Sequence, residues 1–392
     1  MDVQKILQIF NSAQASKNQG DFEKSSKLYE EILQITDRLP EVYFNLAFVY
    51  MNLDKQTNAI ECLENYLKAE PNDEEAQYFL AAAYFKNKEY SKGFPFFESR
   101  ISKKHAVHTQ LHLFGQNFEH LPFWQGEDLT NKTIYVYYEA GLGDTLMYFR
   151  FIDLLTKKCK KVYFKPQVQL LPLFAENKGN AHIIMKLDEN IAKKCDYQCP
   201  IMSLPYRLGL NDETIFANNK KFLHATKRKI SEYKNKFFQN NKLKIGIKWQ
   251  GNTLIGGERA MNAESFAKIF EIPNSQIYSI QVMEGYEQIH KLQEKYNLID
   301  LGSTFKDFSD TAGAIENLDI IICNDTSVGH LAGAMGKQCY MVLPKHYDWR
   351  WHMDISKCDW YENIKLYRQK NEWKEVINRI YKDIMSLNIK KQ

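Results

Sequence analysis

Apolar residues in the first hundred positions recur at helical spacing, and the pattern then repeats as a block. Three segments starting at Ile6, Pro40 and Glu74 align without gaps at intervals of 34 residues. Their eighth position is Ala13, Ala47 and Ala81, their twentieth Ser25, Ala59 and Gly93, and their twenty-fourth Tyr29, Leu63 and Phe97. Small residues let two antiparallel helices approach, and the large ones fill the gap to the next pair. From residue 132 the pattern changes to short β-branched and aromatic runs separated by turns and helical segments. Runs at 132–139, 161–165, 182–186, 197–201, 244–249, 276–281, 320–323 and 340–343 read as strands. Segments 145–155, 263–270, 288–296 and 310–316 read as helices, and 202–205 as a loop. Strands alternating with helices predict parallel α/β layers behind an all-helical front.

A 34-residue period with these small and large positions is the pattern of a tetratricopeptide array. The middle unit carries it most fully, with Asn45-Leu46-Ala47, Tyr50, Ala59 and Glu70-Pro71-Asn72, and Gly20-Asp21-Phe22 supplies the inter-helix turn of the first. In the third unit Gly93-Phe94-Pro95 predicts a second helix that is bent or begins at Pro95. Such a solenoid is a docking surface for a protein or acceptor chain, or else a structural or oligomerising cap. The expected organisation is a repeat domain at 1–104, a connector at 105–131, and two Rossmann-like halves at 132–240 and 241–392. In the connector His105, His108 and His112 share a face if the segment is helical, but no carboxylate or cysteine stands at ligand spacing, which favours a solvated or packed face over a metal site. The basic stretch 224–241 reads as an exposed helix between the halves. Residues 372–384 read as an amphipathic terminal helix able to cross back to the first half.

Candidate chemistry gathers at the carboxyl ends of the expected strands, where open α/β sheets bind ligands. The first strand runs into Ala140-Gly141-Leu142-Gly143-Asp144. It lacks the third glycine of a dinucleotide fingerprint and the Gly-Lys-Ser/Thr of a P-loop. Ile320-Ile321-Ile322 leads into CNDTSVGHLAGAMG, a strand turning into a helix through Asp325-Thr326-Ser327. Free amides at such a helix start suit a phosphate or diphosphate, although Asp, Thr and Ser are also ordinary caps. Gly251-Asn252, Glu284 and Asp325-Thr326 occupy strand ends in the second half as Asp144 does in the first. Two Rossmann-like halves facing a cleft describe an α/β GT-B architecture, here behind an all-α tetratricopeptide-repeat solenoid.

Composition narrows the classes. The 392 residues are 44% hydrophobic and 26% charged, with a net charge of +4 that is too mild to make nucleic acid the main partner. No apolar run approaches the length of a membrane span, and the amphipathic N-terminus lacks the features of a signal peptide. Seven scattered cysteines, of which only Cys195 and Cys199 lie close, complete no zinc pattern and fit reduced thiols in a cytoplasmic protein.

The chain resembles the tetratricopeptide-repeat glycosyltransferases related to the lipopolysaccharide heptosyltransferase family. The matching stretches are LPFWQGEDLTNKTI, GLGDTLMYFRF, SLPYRLG, IGIKWQGN with Arg259, FSDTAGAIENLDIIICNDTSVGHLAGAMGK, LPKHYDWRW and WYENIKLYRQ, in order over residues 121–373. Ala140 stands where relatives often carry Gln, and Ala260 where Ser is common. The resemblance implies an inverting glycosyltransferase that takes a sugar from a nucleotide-diphosphate donor to a glycan or protein acceptor, without a metal cofactor. An oligomer is compatible with it.

Each implied role has a plainer alternative. Asp144 is the general base, beside Gly141 and Gly143 on the glycine-rich turn, or simply a helix cap. Arg259 bridges diphosphate oxygens, or is a surface arginine on the loop that begins at residue 253. Gly251, Asn252, Thr326 and Ser327 offer further donors, Asp325 orders the turn, and Glu284 accepts from a ribose. His330 contacts phosphate or sugar, or is a satisfied buried histidine. Lys248 adds charge unless strand alternation turns it away. The Trp349-Arg350-Trp351 run lines the acceptor side or packs a C-terminal subdomain. A non-enzymatic alternative is a repeat scaffold whose transferase half binds nucleotide or sugar without catalysis.

Overall fold

The computed structural model describes residues 3–101, 120–217, 220–252, 257–352 and 356–389, in two compact units. His105, His108 and His112 lie outside the described residues.

The first unit is built on helices α1 (Val3–Asn18), α2 (Phe22–Ile35), α3 (Pro40–Asn52), α4 (Gln56–Ala69), α5 (Glu74–Lys86) and α6 (Tyr90–Phe97), each packed on its neighbours in the chain. Ala13, Ala47, Ala81, Ser25 and Ala59 are wholly enclosed, as is Tyr29, so the recurring positions form the helix–helix contacts. The Ser25 hydroxyl, unable to reach water, donates to Ala13 O at 2.9 Å. Asp21 and Asp73 cap α2 and α5 by accepting from Lys24 N and from Glu75 and Ala76 N.

Pro95 does not begin the second helix of the third unit. Helix α6 starts at Tyr90, runs through Pro95 and stops after 8 residues, against 14 in α2 and α4. The proline lacks the N–H of a continuing helix and so shortens α6 near its end instead of starting it. The chain then tightens into a 3₁₀ turn, Glu98–Ile101.

The same unit takes in Leu210–Ile215 and residues 348–352. The Trp349 ring lies 4.8 Å from Phe85 and 6.1 Å from Phe97, and Tyr90 Oη is 2.7 Å from His352 Nε2. Ser91 N–H donates to Asp212 Oδ1 at 2.8 Å. Trp349 therefore belongs to the repeats, neither to the acceptor side of a cleft nor to a C-terminal subdomain. It covers the apolar end that a following repeat covers in a longer array.

The second unit holds two all-parallel sheets. Strands β1 (Thr133–Tyr137), β2 (Lys161–Lys165), β3 (His182–Ile183) and β4 (Tyr197–Pro200) lie in the order β3-β2-β1-β4. Strands β5 (Leu243–Lys248), β6 (Ser275–Ser279), β7 (Leu298–Asp300), β8 (Ile320–Asn324), β9 (Cys339–Leu343) and β10 (Ile364–Arg368) lie in the order β10-β9-β8-β5-β6-β7. In each sheet the chain grows outward on one side, then crosses to the other, so β1/β4 and β5/β8 are switch points. The helices that matter below are α7 (Leu142–Tyr148), α8 (Arg150–Thr156), α9 (Lys227–Phe237), α10 (Phe308–Glu316), α11 (Ser327–Ala334) and α12 (Trp373–Ile389).

Several elements differ from the sequence reading. The helix expected at 145–155 starts at Leu142 and is interrupted at Phe149. The loop at 202–205 is a 3₁₀ turn, Ile201–Ser203, and a helix, Leu204–Arg207, with Pro205 in the first turn where no N–H is needed. The basic helix α9 is not simply exposed. It packs on α10, burying Tyr233, and Lys229 pairs with Asp310. Helix α12 buries Val376, Ile377, Ile380 and Ile384 in the core of the second sheet, with Ile245, Ile247 and Trp249 of the β5 segment, instead of crossing back. No described helix is long and apolar enough to cross a membrane.

Since Ile247 and Trp249 face that core, Lys248 points to the opposite face of β5, in register with Cys323 of β8. It is 4% exposed, and burial pulls its ammonium from 10.5 down to about 8.

Two outcomes follow for stability. Trp349→Ala lowers the stability of the repeat unit by about 3 kcal/mol or more in chemical unfolding, and a loss below about 1 kcal/mol would contradict its capping role. For Lys248 the folded value lies below the unfolded one, so its penalty is complete below about pH 8 and vanishes as pH rises past the unfolded value of 10.5. Lys248→Met therefore stabilises the chain at neutral pH, and unfolding curves at increasing pH show that gain shrinking across this window. A pH-independent gain would contradict the buried-charge account.

Candidate active site

The carboxyl ends of β1, β5 and β8 carry the turns that the sequence singled out. Gly141 N-caps α7, which places Asp144 three residues into the first turn. Asp144 Oδ2 accepts the Gly141 N–H at 2.9 Å, closing the side-chain-to-backbone half of a capping box. The carboxylate is half-buried. Its expected capping function is therefore present in the structure, and it occupies one oxygen of the carboxylate.

Helix α7 packs on α11 of the other sheet. A Cβ at Gly143 would stand 2.8 Å from His330 Cδ2, closer than carbon atoms tolerate, so glycine is what allows the two helices to meet. His330 is 4% exposed. Its Nδ1 lies 3.0 Å from Tyr361 Oη and its Nε2 4.0 Å from Asp325 Oδ1. The buried-histidine reading and a position beside the candidate site thus coexist.

Asp325 follows β8 and is 8% exposed. Its Oδ2 lies 3.1 Å from Arg259 Nη1, whose side chain keeps 36% of its surface accessible. Desolvating a carboxylate requires such a partner. Next to it Asn324, fully buried, donates from Nδ2 to Trp249 O at 3.2 Å and to Arg259 O at 2.8 Å. One side chain thereby ties the end of β5 and the Arg259 turn to β8. Thr326 is the N-cap of α11 in extended conformation and makes no side-chain cap bond; its hydroxyl donates back to Asn324 O. The helix start at Ser327 thus presents amides that no cap side chain covers. A Cβ at Gly251 would stand 2.8 Å from Thr326 Cγ2, so the turn after β5 also lies against this helix start.

Asn252 is exposed on that turn, and Glu284 is half-buried on the segment after β6. Gln281, the last residue of the strand expected at 276–281, links Glu284 to the end of β5. Gln281 is fully buried. Its Oε1 accepts from Trp249 N and Gln250 N at 3.1 Å, and its Nε2 donates to Gln250 O, Val282 O and Glu284 O. A polar residue where an apolar one was due was the only signal of this role.

The contacts form a continuous series: Asp144 and Gly143 on α7, His330 on α11, Asp325, Arg259, then Thr326 against Gly251. The helix that carries Asp144 thus packs on the helix whose start follows the Asp325–Arg259 pair. Such an arrangement can hold an anionic leaving group and accept a proton from a nucleophile beside it. Among the described residues no three His, Cys, Asp or Glu side chains converge as metal ligands.

The tetratricopeptide repeat family matches residues 40–73, the middle repeat. Protein FlbA of Caulobacter vibrioides is 21% identical over 397 residues, covering 93% of this chain, which spans 64% of that relative's length. The crystal structure of a glycosyl transferase family 9 protein from Veillonella parvula superposes with a TM-score of 0.50 at 12% identity, covering 62% of this chain and 88% of that one. Escherichia coli ADP-heptose lipopolysaccharide heptosyltransferase II gives a TM-score of 0.48 at 11% identity, covering 66% of this chain and 99% of its own. The chain therefore joins a tetratricopeptide-repeat unit to an α/β unit with the GT-B fold seen in the glycosyl transferase family 9 structure.

Proposed function

We propose that this protein is a glycosyltransferase that moves a sugar from a nucleotide-diphosphate donor to a hydroxyl acceptor. The observation that carries the reading is the close packing of Gly143, next to Asp144 on the glycine-rich turn, against His330, whose Nε2 lies 4.0 Å from Asp325 of the Asp325–Arg259 pair before the uncapped start of α11. In the reaction an Asp144 oxygen takes the proton of the acceptor hydroxyl. The acceptor oxygen bonds to the anomeric carbon, and the bond from that carbon to the diphosphate breaks, its electron pair leaving with the phosphate. Arg259, the amides of Thr326 and Ser327, and His330 stabilise the charge that develops there. Gly251, Asn252 and Glu284 line the nucleoside side. Arg259 neutralises the leaving group in place of a metal ion, and in-line attack from the Asp144 side gives inversion, as the heptosyltransferase resemblance implies. The acceptor is a glycan or a protein, the latter held by the repeats.

One observation favours the scaffold alternative. The Asp144 carboxylate already serves as a helix cap, a role that needs no catalysis. Asp144→Asn separates the two readings, because the amide oxygen still accepts the Gly141 N–H while the base is lost. With a sugar-nucleotide donor that the wild type turns over, this variant loses transfer by about 100-fold or more and keeps donor affinity within about threefold. Undiminished transfer would remove Asp144 from the chemistry, and binding without turnover across sugar-nucleotide donors in the wild type would support the scaffold.

A further inference from the structure

Arg150 is a deeply enclosed cation that the glycosyl-transfer mechanism does not use. It lies on α8, one residue after the break from α7, and is 4% exposed. Its Nε donates to Met147 O at 3.0 Å and its Nη1 to Trp360 O at 2.8 Å. The guanidinium sits over the rings of Phe222 at 4.7 Å and Tyr361 at 4.8 Å, and hydrogen-bonds the Tyr361 side chain. Tyr361 is itself fully buried, and its hydroxyl oxygen is the atom 3.0 Å from His330 Nδ1. A series of polar contacts therefore runs from a helix of the first sheet, through the segment before β10, to the histidine that faces Gly143 and Asp325.

We infer that Arg150 and Tyr361 fix the tautomer of His330, so that its proton sits on Nε2 and points at the start of α11. A guanidinium can only donate, so Tyr361 Oη accepts from Arg150. The hydroxyl keeps one proton of its own, and His330 Nδ1 at 3.0 Å is positioned to accept it. With Nδ1 accepting, the neutral ring carries its hydrogen on Nε2. That nitrogen is the one directed at Asp325 Oδ1 and lying nearest to Gly143. The opposite tautomer would turn a lone pair toward the carboxylate and leave the Tyr361 proton without this acceptor. Arg150 and Tyr361 are thus positioning residues. That the Nε2–H is then donated to a departing diphosphate rests on the glycosyltransferase reading; the tautomer itself does not.

Two-bond proton–nitrogen correlation spectra of the full-length protein with ¹⁵N-labelled histidine test this directly, with the His330 signals assigned by their loss in His330→Asn. The wild type without ligand should show Nε2 protonated and Nδ1 unprotonated. A proton on Nδ1, in the other tautomer or in a doubly protonated ring, would overturn the inference whatever the protein's activity. Tyr361→Phe, which keeps the ring, should convert this signal to a tautomer mixture and weaken binding of whichever of ADP, GDP, UDP and CDP the wild type takes by about tenfold. An unchanged His330 spectrum in Tyr361→Phe would also overturn it. If the wild type binds none of those diphosphates, the functional reading fails while the spectrum still decides the tautomer.

Discussion

The closeness of α7 to α11 at Gly143 and His330 is the constraint on which the rest of the site depends. Two parallel sheets, each with its own switch point, have no intrinsic reason to present their turns to one another. The missing side chain at Gly143 lets His330 fill that space, which brings the helix that carries Asp144 onto the helix that follows β8. Any larger residue would separate the helices by the width of a methyl group, and groups meant to act on one bond would no longer address the same point.

Polar side chains then lock the second half of the site without filling it. Asn324 and Gln281 are fully buried and spend their hydrogen bonds on the backbone of the loops after β5, β6 and β8. Such bonds inside a protein are costly to break singly. Asp325 holds Arg259, whose guanidinium compensates the buried carboxylate. Under the proposed function a diphosphate would compete for a guanidinium that is already oriented, which is cheaper than ordering a free side chain.

The repeats were legible because every unit restates the same small and large positions at a fixed period, the strands β8 and β9 because they are near-continuous buried apolar runs, and β1, β2 and β5 because β-branched and aromatic residues recur in them. The strands β7 (Leu298–Asp300) and β10 (Ile364–Arg368) were not recognised. The first is three residues long, and the second alternates Ile, Leu and Tyr with Lys and Arg at a sheet edge, so its apolar signal is halved. The place of Trp349 is not legible because it is set by partners distant in sequence, Phe85 and Phe97. The same holds for the site. Asp144, Arg259, Asp325 and His330 stand at strand ends where local pattern points to them, whereas Gln281, Arg150 and Tyr361 act through residues far along the chain.

The central claim is that a diphosphate is gripped by Arg259 and the start of α11. Titration calorimetry of the wild type and Arg259→Ala, each with a nucleoside diphosphate and its parent nucleoside, tests it most directly. The account predicts that the variant loses about tenfold or more in affinity for the diphosphate and little for the nucleoside. Equal losses for both, or no loss for either, would contradict it.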